Sequence, residues 1–401
     1  MYIAKNMRGK NTVQMQLENR STLLKLLRQN EYVCRKDLAE MSGLTGAAVT
    51  NIIRDLINIG LVQEVKDSSI NLGRNAIPLK LNSSKFLVLG AYFRRGGLSF
   101  GISDLSGRMI EKHEMDLQLN EPVEQVLEHL SNHIKDLISK YEHQGKIIGL
   151  GLAFPGPIDI EKGEIPLLTN LPGWKEVPIK KFFEEQFTLP VVLDDIANAI
   201  AVAEKWFGCG KAYQNFISLL VSKGVGAGVI LDGHIYHGSF GFAGELGHVS
   251  IDYNGPQCEC GNKGCLELYC STLALLRKVQ EISGNQNISD FNNIKELFNQ
   301  GNPQIIELVK EIGFYLGVAI VNLVNSYNPG LVVLNGEMTI FGSILLNSIK
   351  ETVKERLSLS VYSRLKIEFS SLSGSPVLLG TIAMICEYVF EKPDLKLFID
   401  A

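Results

Sequence analysis

Hydrophobic positions along this chain change period several times, and each change marks a part. From Leu17 to Gln29, Leu23, Leu24, Leu26 and Leu27 line one side of a helical stretch. Residues 1–16 carry no such stripe and read as loosely ordered. Tyr32 and Val33 make a short apolar link. Arg35 to Met41 reads as a second, short helix, and Ser42-Gly43-Leu44 as a tight turn. Thr45 then caps a third helix that runs to about Ile59, with Gly60 ending it. Val49, Ile52, Ile53 and Leu56 fall at i, i+3, i+4 and i+7 and turn inward. Thr45, Gly46, Ala47, Thr50, Asn51 and Arg54 are left on the other faces. Leu61–Val65 and Pro78–Leu81 read as a hairpin. After Ser83-Ser84 the period shortens. Phe86–Gly90 and Leu98–Ser103 are strands, and the polar turn Asp104–Gly107 leads to a third. Val123–Tyr141 is an amphipathic helix. Ile147–Phe154 is an apolar strand ending in Pro155-Gly156-Pro157. Pro190–Leu193 is a strand, Ile196–Trp206 a helix, and Phe216–Val221 with Gly226–Leu231 the next pair of strands. A long helix, Ile306–Ser326, precedes the strand Leu331–Leu334. Strands alternating with helices imply an α/β body.

Short helix, glycine turn, helix with a polar outer face and hairpin follow the winged helix-turn-helix plan. Charge agrees with it. Net charge is −4 overall, yet residues 1–83 hold 12 Lys+Arg against 7 Asp+Glu. The remainder holds 27 against 36. A basic head on an acidic body points to double-stranded DNA as partner. Thr45, Ala47, Thr50, Asn51 and Arg54 are the candidates near bases; Arg35 and Lys36 are candidates for phosphate. Arg74, beside Gly73 in the wing loop, can reach a narrow minor groove. The boundary falls at residue 83, giving a DNA-binding domain 1–83 and a body 84–401.

Composition excludes little more. At 401 residues the chain needs more than one core. It holds no run of 18 apolar residues and no apolar leader at its start, so a cytoplasmic protein without a membrane partner is expected. Seven cysteines occur, and three of them, Cys258, Cys260 and Cys265, fall within eight positions. That pattern suits a metal site better than a disulfide framework. His248 lies ten residues upstream, and glycines 255, 261 and 264 let the backbone fold around a small centre. One imidazole and three thiolates make a closed tetrahedral zinc site, structural because no position stays open for water. Glu245 and Glu267 flank the cluster.

These pieces resemble the ROK family of repressors, open reading frames and sugar kinases. The resemblance rests on Gly244-Glu245-Leu246-Gly247-His248, the cysteine cluster with Leu266-Glu267, Phe154-Pro155-Gly156-Pro157-Ile158-Asp159 and Asn170-Leu171-Pro172-Gly173-Trp174. Gly224-Val225-Gly226-Ala227-Gly228, Asn328-Pro329 and Gly380 follow in family order. The resemblance implies a two-lobed sugar kinase/actin-like body with a cleft near 195–250 and a C-terminal helix returning to the first lobe. It implies zinc on His248, Cys258, Cys260 and Cys265. It also implies a sugar held by Gly156, Asn170, Gly173, Asp195, Glu245, His248 and Glu267, with His248 serving both metal and sugar. A fused winged helix is the layout of the family's repressors, such as those of xylose and N-acetylglucosamine.

Two departures bear on catalysis. ROK kinases resemble one another at a stretch whose third residue is the general base. Here that stretch is Asp194-Asp195-Ile196-Ala197-Asn198-Ala199, and Ile196 stands at the base position, where it cannot accept a proton. Asp195 is then expected one residue around the helix, about 100° away. The family's Asp-x-Gly phosphate loop is replaced by Ala91-Tyr92-Phe93-Arg94-Arg95, which supplies no carboxylate for metal-ATP. No catalytic residues, and no enzyme, are therefore expected. The expected function is a homodimeric or larger sugar-responsive repressor of carbohydrate-utilisation genes, released from its operator by sugar. An apolar wall at Ile196 suits a pentose. The alternatives are an active sugar kinase with a DNA-binding head, and a repressor controlled by a protein partner.

Overall fold

The computed structural model describes residues 12–65, 76–94, 96–117, 121–156, 158–167, 173–283 and 288–398. Arg74, Arg95 and Asn170 lie outside the described residues. The head consists of α1 (Thr12–Gln29), α2 (Arg35–Ser42), α3 (Gly46–Asn58), β1 (Val62–Glu64) and β2 (Leu79–Leu81). The first helix thus starts ahead of Leu17. Val13 and Met15 fall in this added turn and stay exposed, which is why no apolar stripe announced it. Gly43 takes a left-handed backbone (φ 70°) and stops α2. The Thr45 hydroxyl accepts the Ala48 N–H at 3.3 Å and starts α3. Leu23, Leu24, Val49, Ile53 and Leu56 are fully buried beneath it.

The first lobe follows with β3 (Phe86–Arg94), β4 (Gly97–Asp104), β5 (Met109–Asp116), α4 (Val123–Tyr141), β6 (Lys146–Phe154), β7 (Ile165–Leu167), β8 (Lys175–Val177), α5 (Ile179–Phe187), β9 (Val191–Asp195) and α6 (Ile196–Phe207). The second lobe holds β10 (Phe216–Val221), β11 (Val225–Leu231), β12 (His234–Ile235), α7 (Glu267–Cys270), α8 (Thr272–Ser283), α9 (Phe291–Asn299), α10 (Pro303–Tyr327), β13 (Leu331–Asn335), α11 (Gly342–Arg356), α12 (Leu359–Tyr362) and β14 (Lys366–Phe369), and the chain closes with α13 (Pro376–Glu391).

The two five-stranded sheets share one topology. Their orders are β5-β4-β3-β6-β9 and β12-β11-β10-β13-β14. In each, three strands run as an antiparallel meander and two join in parallel. The helix after each sheet's last strand crosses to the other lobe: α6 packs on β10 and β11, and α13 packs on β3 and β6. The crossing is tight. A Cβ on Gly380 of α13 would collide with the Ala199 carbonyl of α6. One apolar cluster runs from the head's Leu24 and Ile53 through Phe86 and Trp206 to Ile385 and Phe390 of α13. Among the described residues no helix is long and apolar enough to cross a membrane.

Candidate functional site

Gly244 and Gly247 fix the loop that carries Glu245. Each lies flat on β11, where a Cβ would strike the Ala227 and Val225 carbonyls, and the Ala227 N–H bonds the Gly244 carbonyl at 2.9 Å. Beyond it the chain folds into a knuckle. The Cys258 N–H bonds Asn262 O at 2.8 Å, Gly261 N–H bonds Cys258 O, and Gly264 N–H bonds Pro256 O. Gly261 and Gly264 take φ of 92° and 64°, which favours glycine.

This brings His248, Cys258, Cys260 and Cys265 together, with one ligand atom from each lying within 4.8 Å of the others. His248 Nδ1 stands 3.8 Å from Cys258 Sγ, and Cys260 and Cys265 Sγ are 3.6 Å apart. Burial, with the Cys260 and Cys258 thiols beside it, pushes the Cys265 thiol up to about 12. A thiol held so high keeps its proton near neutrality unless a cation replaces it. Three sulfurs and one imidazole at this spacing can hold a metal ion, and the donor set suits a soft or borderline one. Glu267 begins α7 and leans on this cluster, its Oε1 3.3 Å from His248 Nδ1 and 3.4 Å from Cys258 Sγ. His248 Nδ1 therefore faces the metal side, leaving Nε2 for a second partner.

Across the cleft, Asp194 and Asp195 end β9. Asp195 is not one step around a helix from Ile196, as the sequence suggested. It is the N-cap of α6, its Oδ1 accepting the Asn198 N–H at 2.8 Å. The strand simply continues through both aspartates before the helix starts. The Asn198 side-chain amide donates to Asp194 at 2.8 Å and to Asp195 at 2.6 Å. His237 Nε2 pairs with Asp194 Oδ2 at 2.7 Å. Forty-three residues separate that pair, and no sequence signal joins them. Burial, and Asp194 beside it, raise the Asp195 carboxyl well above its usual range. Glu245 is open to solvent along the cleft, yet desolvation raises its carboxyl too; His248 opposes this and Glu267 adds to it. Gly156 (φ 95°) follows Phe154, which pairs with Asp195 at the same sheet end. A Cβ on Gly241, ahead of Glu245, would stand 3.0 Å from Ile158 O, so both loops meet there. Gly173 (φ 86°) precedes Trp174, buried against Phe93 and Phe154. The result is a cleft rich in carboxylate acceptors, suited to a polyhydroxylated ligand.

Ile196 is the first residue of α6. Ile196 and Tyr92 are both half-buried and pack on the same apolar cluster. Arg94 pairs with Asp116 at 2.6 Å. On the head, Thr45, Ala47, Thr50, Asn51 and Arg54 are all exposed on α3. Lys36 is exposed as well, while Arg35 is tied to Glu64 of β1 at 2.8 Å.

A winged helix fused to a duplicated two-lobe body with this knuckle defines a class, and the comparisons with known proteins agree. Residues 17–63 match the winged helix-turn-helix DNA-binding family and residues 96–387 match the ROK family. The chain belongs to the ROK family. It is 31% identical over 399 residues to the xylose repressor of Caldicellulosiruptor bescii, covering 96% of this chain and 99% of that one. A ROK family transcriptional regulator, a homologue of the E. coli MLC protein, superposes with a TM-score of 0.84 at 27% identity, covering 96% of this chain and 99% of that one. The ROK hexokinase of Thermus thermophilus superposes with a TM-score of 0.66 at 29% identity, over 74% of this chain and 97% of its own.

Proposed function

We propose that this chain is a sugar-responsive transcriptional repressor of carbohydrate-utilisation genes. The observation that carries the reading is the union, in one chain, of an exposed recognition face on α3 with a sugar-kinase cleft whose base position is Ile196. The cleft keeps the acceptors for sugar hydroxyls and lacks the proton acceptor for phosphoryl transfer. It therefore senses a sugar and does not phosphorylate it. The surviving Gly224, Gly226 and Gly228 favour a kinase with a DNA-binding head as the second reading. Without a carboxylate at Tyr92, Gly224 serves the β10–β11 turn, Gly226 and Gly228 lie in β11 with Gly228 close against Ala201 of α6, and they make no nucleotide site.

In this reading His248, Cys258, Cys260 and Cys265 hold a structural zinc. The metal would fix the knuckle, so that Glu245, Glu267 and His248 Nε2 are presented to the sugar. Asp195, Gly156 and Gly173 would line the other side, where the family resemblance also expects Asn170. The apolar Ile196 favours a sugar without a hydroxymethyl group to place there, a pentose, as the name of the C. bescii relative also suggests. Thr45, Ala47, Thr50, Asn51 and Arg54 read bases, and Arg35, Lys36 and Arg74 hold phosphate or the minor groove. A homodimer would set two α3 helices on successive major-groove faces. Sugar binding would favour a lobe arrangement that spoils their spacing.

Fluorescence anisotropy tests this, using DNA from upstream of the gene. It is titrated with D-xylose, L-arabinose, D-glucose, N-acetylglucosamine and their phosphates. Release by a pentose is the expected result. Tight DNA binding that no sugar alters would overturn it in favour of control by a protein partner.

A further inference from the structure

Helix α6 touches both ends of the proposed signal. Its N-cap, Asp195, lies in the cleft and is braced by Asn198. Twelve residues later, about 18 Å away at helical rise, its C-terminal turn meets the head. There the Arg28 guanidinium of α1 sits 4.1 Å from the centroid of the Trp206 ring. The Trp206 indole N–H donates to Glu387 of α13 at 3.0 Å, and Lys205 pairs with the same carboxylate at 2.7 Å. Arg28 is half-buried and Trp206 is 7% exposed, and Trp206 joins one apolar cluster with the head's own core.

The helix between these ends has little slack. A Cβ on Gly228 of β11 would strike Ala201, and one on Gly380 would strike the Ala199 carbonyl. Backbones packed this closely move together. The head, by contrast, has room. A cavity of about 880 Å³ opens between it and the first lobe, beside Trp206, bounded by Asn30, Lys80, Ser84 and Lys211. Because α1 packs on α2 and α2 on α3, and Leu23, Leu24 and Leu27 share one apolar cluster with Val49 and Ile53, tilting α1 tilts the recognition helix.

We propose that α6 is the rod that carries the sugar signal to the DNA-binding head, and that Arg28, seated on Trp206, is the positioning residue that receives it. This deepens the sensor reading and rests on it. A sugar hydroxyl bonding Asp195 competes with Asn198 for the carboxylate and shifts the helix start. The rod passes that shift to Trp206 and so to α1. Arginine suits the seat because a planar guanidinium stacks on an indole face where a lysine ammonium does so less well.

The test uses full-length wild type, Arg28→Met, Arg28→Lys, Trp206→Phe and the Arg28→Met, Trp206→Phe double variant. Operator affinity is measured with and without D-xylose and the other sugars above. Sugar affinity is measured by calorimetry without DNA. In wild type the ratio of operator affinities is expected between about 5 and 150. Arg28→Met should bring it to about twofold or less, with sugar affinity and melting temperature unchanged. Arg28→Lys should restore part of it, and the double variant should lose no more than Arg28→Met alone, since one contact is removed twice. A wild type that responds and an Arg28→Met variant that responds equally would overturn the rod alone. Loss of sugar affinity in Arg28→Met would also overturn it, by making the residue merely structural. A wild type released by no sugar would overturn the sensor reading, and the rod would fall with it.

Discussion

Glu245, Glu267 and His248 can act together only if the knuckle between them is stiff. The loop has few apolar anchors of its own: Cys258, Cys265 and Leu266 are buried while its tip, with Cys260, is exposed. A metal on the four donors would supply the missing stiffness. Replacing Cys258 and Cys260 together by serine should abolish bound zinc, read by elemental analysis. It should also weaken sugar binding by about 10- to 100-fold in calorimetry. Unchanged zinc content would refute the assignment. A second residue tests burial in the same helix as Asp195. Glu204 is fully buried, and desolvation raises its carboxyl despite the hydrogen bond that its Oε2 accepts from the Cys209 N–H at 2.9 Å. A raised acid holds its proton more tightly folded than unfolded. Its stabilising contribution is therefore complete below the unfolded value and is lost as pH rises through the folded one. Glu204→Gln should melt about 1–3 °C above wild type near pH 8, and the gap should close toward about pH 4. A constant gap across that range would show that charge is not its cause.

Among the elements, α3 was legible because it is amphipathic, with Val49, Ile53 and Leu56 inside and Thr50, Asn51 and Arg54 outside. Thr45 and the positive-φ glycines at 43 and 60 punctuate it. The knuckle was legible because its three cysteines are close in sequence. Helix α13 was not legible as a phased helix. Pro376–Glu391 is apolar nearly all round, since α6 covers one side and β3 with β6 another, so its sequence carries no stripe. The short strands β7 and β8 were lost for want of length, and the Asp194–His237 pair for want of proximity. Gly380 is the point where α13 meets α6, and only a residue without a Cβ fits against Ala199. Gly380→Val should cost about 1–3 kcal/mol through overpacking, measured by urea unfolding with the slope unchanged. Free tolerance of valine would mean that the two helices are less closely seated.

At the scale of the molecule, the duplicated sheets hold a cleft between them, and phosphoryl transfer would need contributions from both sides. A base must reach the sugar hydroxyl at the start of α6, and a carboxylate near the end of β3 must support the metal-bound nucleotide. In the proposed reading Ile196 and Tyr92 take those two places, and both pack on the apolar cluster shared with the head. On that reading each would block a different requirement of catalysis. With magnesium and ATP, the wild-type chain should form no sugar-dependent ADP above background across the sugar panel. Ile196→Asp alone should stay at background, because it restores the base and leaves Tyr92 where the metal-nucleotide support is needed. ADP formed by the wild type in step with one sugar would overturn the sensor reading in favour of the kinase. Turnover in Ile196→Asp alone would instead show that Tyr92 is no obstacle and that the lost base is the whole of the change.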